Sequence, residues 1–148
     1  MKHMHVDTRI EAPVEHVWEF LCDTSHWDDW DPRHPHSDFS GPVDEIGTTW
    51  VESGKLMGFE MKQTSKVVEV EPQRLLHVHS DQGPMEMYYR LDPDGDATRV
   101  IVESDYEMPS KVPGFFNDLI AKGWVDRYAK QALADFKALA ETKVPAHA

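Results

Sequence analysis

The chain begins in alternation. Met4, Val6, Thr8 and Ile10 are separated by His5, Asp7, Arg9 and Glu11, the period-two pattern of a strand with one buried face, and they predict a first strand over residues 2–11. The period then lengthens. Pro13 stands where a helix begins, and Val14, Val17, Trp18 and Leu21 follow the i, i+3, i+4, i+7 spacing of a short amphipathic helix that ends at Asp23 and Thr24. In SHWDDWDPRHP, Trp27 and Trp30 lie one helical turn apart, which predicts a second short helix closed by Pro32 and Pro35.

From His36 onward, short alternating runs predict six more strands, near residues 36–40, 47–53, 59–70, 74–81, 85–91 and 98–108. The connectors SGKLMG from Ser53, EPQ from Glu71, DQGP from Asp81 and DPDGD from Asp92 are short, so successive strands are antiparallel neighbours. Gly95 is available for positive φ in the last of them. Met85, Met87, Tyr89 and Leu91 share a charge-free face, as do Val100, Val102, Ser104, Tyr106 and Met108, and these faces turn inward. Phe59, Met61 and Gln63 share a parity that Val68 and Val70 break, which predicts a bulge between Gln63 and Val67.

The closing element is the longest, a helix predicted over residues 114–142. Ala121, Val125, Tyr128, Ala129, Ala132, Phe136, Leu139 and Ala140 fall on one arc, opposite Lys122, Asp126, Arg127, Lys130, Lys137 and Glu141. Traced backwards, the arc reaches Asn117 and Asp118, with Ile120 and Trp124 flanking them. Tight packing is therefore expected at the C-terminal half of the helix and a space at its N-terminal half. The elements add up to an α+β fold: a curved antiparallel seven-stranded sheet wrapped around a long C-terminal helix, with two short helices between strands 1 and 2.

With 148 residues the chain is read as one domain, residues 1–148, around a single core. The net charge of −12 concentrates between Glu19 and Glu60, where ten carboxylates meet only Arg33 and Lys55. Such a surface repels phosphate backbones and anionic lipid heads, which argues against nucleic-acid binding and against membrane binding or insertion. Cys22 stands alone, so no internal disulfide forms, and no apolar leader follows MKHMH. A cytoplasmic location is expected, and no uncharged apolar run reaches the length of a membrane span.

The order of elements, together with IEAPVEHVWEFLCD from Ile10, WDPR from Trp30, LDPDGDATRV from Leu91 and ALADFKALAE from Ala132, resembles the START-like SRPBCC superfamily. Its polyketide cyclase/dehydrase branch is the most similar. The resemblance implies a helix-grip fold whose sheet and long helix enclose a cavity for an apolar small molecule, in a superfamily that spans lipid and hormone carriers and polyketide cyclases. It carries over no catalytic motif, because the shared positions are packing and turn residues.

Two constellations invite a chemical reading. The pairs His3 and His5, His34 and His36, and His77 and His79 are each spaced to put two imidazoles on one side of a strand, as metal ligands require. Since His3, His5, His77 and His79 fall opposite the apolar faces, no metal is expected and no cofactor is required. Asp28, Asp29 and Asp31 crowd one short helix, where paired carboxylates act as acid and base only if one is buried; a solvated face is the simpler expectation. No nucleophile elbow, HExxH or phosphate-loop pattern occurs.

The remaining signal is soft and aromatic, with Trp27 and a few polar points among inward positions. Soft, aromatic walls of this kind line small-molecule sites. The predicted ligand-binding set is Trp30, Trp50, Leu56, Met57, Phe59, Met61, Gln63, Leu76, Val78, Met87, Tyr89, Ser104, Tyr106, Asn117, Ile120, Trp124 and Tyr128. Antiparallel counting places SGKLMG, DQGP and PSKVPG at one end of the sheet, with Leu56 and Met57 as a gate beside the mouth. The expected function is binding of a hydrophobic or amphipathic small molecule, lipid-like or polyketide-like. The alternatives are a polyketide cyclase/dehydratase acting on a bound poly-keto chain and a protein-binding module that uses the outer sheet face. No protein partner is specified by the sequence.

Overall fold

A single meander accounts for nearly every strand. The computed structural model describes residues 2–31, 35–56, 59–81, 85–107 and 118–142. Strand β1 (Lys2–Ile10) leads into α1 (Val14–Cys22), a 3₁₀ turn (Thr24–His26) and α2 (Trp27–Trp30). The chain then runs through β2 (His36–Ser37), β3 (Thr49–Leu56), β4 (Phe59–Glu71), β5 (Leu75–Ser80), β6 (Met85–Asp94) and β7 (Ala97–Tyr106), and closes with α3 (Asp118–Thr142). The sheet order is β1-β7-β6-β5-β4-β3-β2, antiparallel throughout. Only β1 leaves sequence order, because its nine-residue ladder with β7, from Lys2↔Tyr106 to Ile10↔Thr98, brings the first strand beside the last.

Three boundaries differ from the sequence pattern, each for a backbone reason. β3 continues through Gly54 and Lys55 to Leu56, which pairs with Phe59, so the SGKLMG connector is largely strand. Main-chain bonds to a neighbouring strand carry the ladder past residues whose side chains give no strand signal. β2 is only two residues long, because Asp38 takes φ 60° and the pairing beyond it becomes irregular. There Ser40 N donates to Thr49 O at 2.9 Å, and Thr49 N donates to Ser40 Oγ at 2.9 Å. The bulge in β4 falls between Val67 and Glu69, not before Val67. Gln63, Ser65 and Val67 all keep the inward parity, Val68 is pushed out to 37% exposure, and Val70 returns to the core.

The core sits between the concave sheet face and the helices. Met4, Val6 and Ile10 of β1, Val17, Phe20 and Leu21 of α1, and Leu76, Leu91, Val100 and Val102 of the sheet are buried. On α3, Leu133, Phe136 and Ala140 are buried, while Trp124, Val125, Tyr128 and Ala129 are only half-buried. Leu133, absent from the predicted arc, lies at its edge and is buried with Phe136 and Ala140. The C-terminal half of α3 is also tied down by polar contacts. His16 Nε2 contacts Ala140 O at 2.9 Å, Lys137 Nζ donates to Arg9 O at 2.6 Å, and Glu11 N donates to Glu141 Oε2 at 2.8 Å. Packing thus loosens along α3 toward its N-terminal half. No helix among the described residues is long and apolar enough to cross a membrane.

The candidate ligand cavity and its buried ionic row

Where α3 loosens, the sheet, α2 and the helix enclose a cavity of about 200 Å³. This exceeds the roughly 150 Å³ of an engineered apolar cavity that admits benzene. Trp27, Trp30, Trp50, Tyr89, Tyr106, Trp124, Tyr128 and Phe136 supply its aromatic walls. Met4, Met85, Met87, Val78, Val100 and Val102 supply aliphatic and thioether surface. Ser53 and Glu107 are its exposed members, at the sheet end where β3 and β7 finish.

The strand pleat explains why these side chains converge. Met85, Met87 and Tyr89 on β6 and Val100, Val102, Ser104 and Tyr106 on β7 are i, i+2 sets on the concave face, in register as Met85↔Tyr106, Met87↔Ser104 and Tyr89↔Val102. From α2, one helical turn carries Trp27 and Trp30 to the same side, their rings 6.3 Å apart and edge to face. Trp27 packs on Trp50 at 5.1 Å and fixes its own indole by donating Nε1 to Leu21 O at 2.8 Å. Trp30 packs on Phe136 of α3 at 5.2 Å, which joins α2 to the helix. Trp124 and Tyr128 lie parallel, 5.7 Å apart, on the opposite wall.

The cavity also holds a polar row that crosses three strands. His36 on β2 lies opposite Glu52 on β3, and Glu52 lies opposite Gln63 on β4. Glu52 Oε1 accepts from Trp50 Nε1 at 2.9 Å, and Oε2 accepts from Gln63 Nε2 at 2.8 Å. The His36 side chain is only 4% exposed; its Nδ1 is 2.8 Å from Asp28, and its Nε2 is 3.5 Å from both Asp31 and Glu52. Burial alone would favour a neutral ring, but the hydrogen bonds to Asp31, Glu52 and Asp28 outweigh it and push the His36 pKa up to about 10. Burial likewise works against the charge on Glu52, yet the contacts from His36, Trp50 and Gln63 hold its pKa below the ordinary value. The Tyr89 phenol is raised, first by burial and then by Asp31 and Glu52. At neutral pH the row is an imidazolium among carboxylates, with a protonated tyrosine nearby.

Two buried polar atoms of the lining have no hydrogen-bond partner among the described residues, Trp30 Nε1 and Ser104 Oγ. Such atoms are rare in folded proteins, and each calls for an explanation, a bound water or a ligand group among them.

Set against the predicted ligand-binding residues, Trp30, Trp50, Gln63, Val78, Met87, Tyr89, Ser104, Tyr106, Trp124 and Tyr128 line the cavity. Leu76 does not. It is fully buried in the solid core, because it lies near the start of β5, and the strand meets the cavity only at Val78 and Ser80, toward the open end. Met57 and Asn117 lie outside the described residues, as do the side chains of Leu56, Phe59, Met61 and Ile120. The sequence reading missed His36, Glu52 and Asp31 as a cavity group. The signal was present in parity, since Glu52 stands two residues from the inward Trp50 on one strand.

The other histidine pairs lie elsewhere. His3 and His5 are exposed on the convex face, where they and Glu103 bring ligand atoms within 4.8 Å of one another. His77 and His79 face Glu86 on the same side, at 3.6 and 2.9 Å. This convex face is charged, and among the described residues the exposed large apolar side chains are Ile46 and Val68. Among the described residues it offers no apolar patch for the protein-binding alternative. Burial, with Asp44 nearby, pushes the half-buried Cys22 thiol up to about 12, which leaves it unreactive.

Known structures share this architecture. TTHA0849 from Thermus thermophilus superposes with a TM-score of 0.80 at 15% identity, over 95% of this chain and 98% of that one. The Zhui aromatase/cyclase from Streptomyces sp. R1128 does so at 0.78 and 18%, over 99% and 97%. A START superfamily protein from Mycobacterium smegmatis does so at 0.73 and 14%, over 95% and 97%. At these identities the likeness is one of fold. No curated protein matches the chain in sequence. The family model for polyketide cyclase/dehydrase and lipid transport, however, matches residues 1–141, and the chain, with its helix-grip architecture, belongs to that family.

Proposed function

We propose that this protein binds a hydrophobic or amphipathic small molecule, lipid-like or polyketide-like, in the cavity between the sheet and α3, and does so in the cytoplasm without metal or cofactor. The observation that carries the reading is an aromatic-lined cavity of about 200 Å³ whose lining holds two unpartnered buried polar atoms. A solid core would have closed over the apolar surface, and leaving a buried N–H or hydroxyl unpaired costs about 1–3 kcal/mol, which a bound ligand offsets. The test is titration with prodan, a neutral bicyclic dye whose emission shifts to the blue in apolar surroundings. Saturable binding to the folded protein is expected, and a folded protein that leaves the dye in water would overturn the proposal.

One observation favours a second reading, a cyclase or dehydratase acting on a bound poly-keto chain: shifted ionisable groups stand in the cavity wall. The aromatase/cyclase from Streptomyces has the same fold. Yet the row is built to hold charge, not to move it. Both ring nitrogens of His36 are engaged by carboxylates, and Glu52 receives contacts from three neighbours. A general base works best with a pKa near the operating pH, which neither group has. Binding is therefore the better supported function. Turnover of a poly-β-keto thioester analogue by the wild type, lost in His36→Gln, would reverse that preference.

A further inference from the structure

The polar atoms of the cavity wall constrain what the ligand must be. Trp30 is 7% exposed, and its indole Nε1 finds no acceptor among the described residues. An indole N–H only donates, so a ligand that satisfies it must bring an acceptor. Ser104, 1% exposed, is unpartnered too, and its hydroxyl turns to serve a donor or an acceptor.

The charged groups act by exclusion. Glu52 has one oxygen on Trp50 and the other on Gln63. Among the described residues of the lining, His36 is the only cationic side chain, and its two nitrogens face Asp28, Asp31 and Glu52. A carboxylate that entered would give up its water beside Glu52 and meet no uncommitted cation among these residues. An ammonium group leaves the Trp30 N–H unpaired and gives up its water for carboxylate oxygens that His36, Trp50 and Gln63 already share. A neutral carbonyl avoids both costs.

Resting on the ligand-binding reading above, we propose that the cavity selects an uncharged apolar molecule bearing a carbonyl or similar acceptor oxygen, which takes the Trp30 Nε1 hydrogen bond, and that it rejects carboxylates of the same size and shape. The polar points of this site thus discriminate among hydrophobic ligands by charge and by acceptor, in addition to size.

Matched naphthalenes test this by displacement of prodan from the wild-type protein at neutral pH: 2-acetonaphthone, 2-ethylnaphthalene, 2-naphthoate and 2-naphthylmethylammonium. The ketone is expected to bind best. At an effective dielectric near 20, a charge about 6 Å from Glu52 is disfavoured by roughly a hundredfold, so 2-naphthoate should be at least about tenfold weaker. One hydrogen bond distinguishes the ketone from its hydrocarbon isostere, an advantage of about fivefold. Trp30→Phe keeps an aromatic ring but removes the N–H, so it should bring the ketone and 2-ethylnaphthalene to equal affinity, whatever both lose from the smaller ring. Naphthoate or the ammonium binding as tightly as the ketone would overturn the proposal. So would a ketone advantage that survives in a folded Trp30→Phe. Should that variant fail to fold, the wild-type order of the four compounds decides alone. Failure of prodan and every naphthalene to bind would instead remove the ligand-binding reading, and this inference with it.

Discussion

Raising the pH from 7 to 9 should weaken the fold through His36. Its imidazole is 4% exposed and lies 2.8 Å from Asp28 and 3.5 Å from Asp31 and Glu52. Trp27 packs against its ring at 5.1 Å. Those hydrogen bonds overcome burial and move the pKa from 6.5 to about 10. The folded protein therefore holds this proton up to about pH 10, while the unfolded chain releases it near 6.5. Between those values the native state binds about one proton more, and stability falls by roughly 1.4 kcal/mol per pH unit. The contribution is complete below the unfolded pKa and lost as pH rises through the folded one. Allowing for solvent around the exposed Asp28, the loss between pH 7 and 9 should be about 2 kcal/mol. Urea unfolding of wild type and His36→Gln at pH 7, 8 and 9 isolates this effect from groups common to both. The variant leaves Asp31 and Glu52 facing each other without their cation, so it should be about 3–5 kcal/mol less stable at pH 7. That gap should narrow toward pH 9. Parallel stability curves over this range would refute the buried imidazolium.

Further substitutions probe the cavity walls and the expected gate. Trp124→Ala should cost only about 1–2 kcal/mol in urea unfolding, because one side of the half-buried ring already borders open space, against about 3–5 kcal/mol for Trp50→Ala, whose ring is 2% exposed; equal costs would mean that α3 packs solidly there. Ser104→Ala removes an unpartnered hydroxyl and should leave the melting temperature of the ligand-free protein unchanged or raise it, by up to about 1 kcal/mol in stability. A clear loss would show the hydroxyl to be bonded. Changing Leu56 and Met57 together to serine should weaken prodan binding by about 1–3 kcal/mol with little loss of stability, and matching losses in both would make these residues part of the core.

The sheet and its pairing were legible because each inward face repeats over several residues. Met85, Met87, Tyr89 and Leu91 lie opposite Tyr106, Ser104, Val102 and Val100, and both runs are free of charge. The loosening of α3 was legible for the same reason, since its apolar arc turns polar and aromatic toward one end. The ionic row was harder to read, because its members meet only through pairing between strands distant in sequence. His36 sits on a two-residue strand, Glu52 reads as one acid in an acidic stretch, and Asp31 belongs to a run that looks solvated. Strand parity alone places Glu52 on the face of Trp50; the pairing His36↔Glu52 turns that parity into a buried ion pair. The bulge was expected a few residues early because Val68 was counted as inward by its chemistry. Hydrophobicity does not report which residue of a bulged pair is expelled.

The tryptophans offer the most direct test of the central claim, that the space between the sheet and α3 is a ligand site. Of the five, Trp27, Trp30, Trp50 and Trp124 line the cavity, whereas Trp18 is buried outside it at 8% exposure. Titrating ¹⁵N-labelled protein with 2-acetonaphthone while following the assigned indole N–H resonances uses Trp18 as an internal control. The cavity account predicts saturable shifts at the four lining indoles, largest at Trp30, with Trp18 nearly stationary. Shifts of equal size at Trp18, or none at Trp30 and Trp124 with saturating ligand, would contradict it.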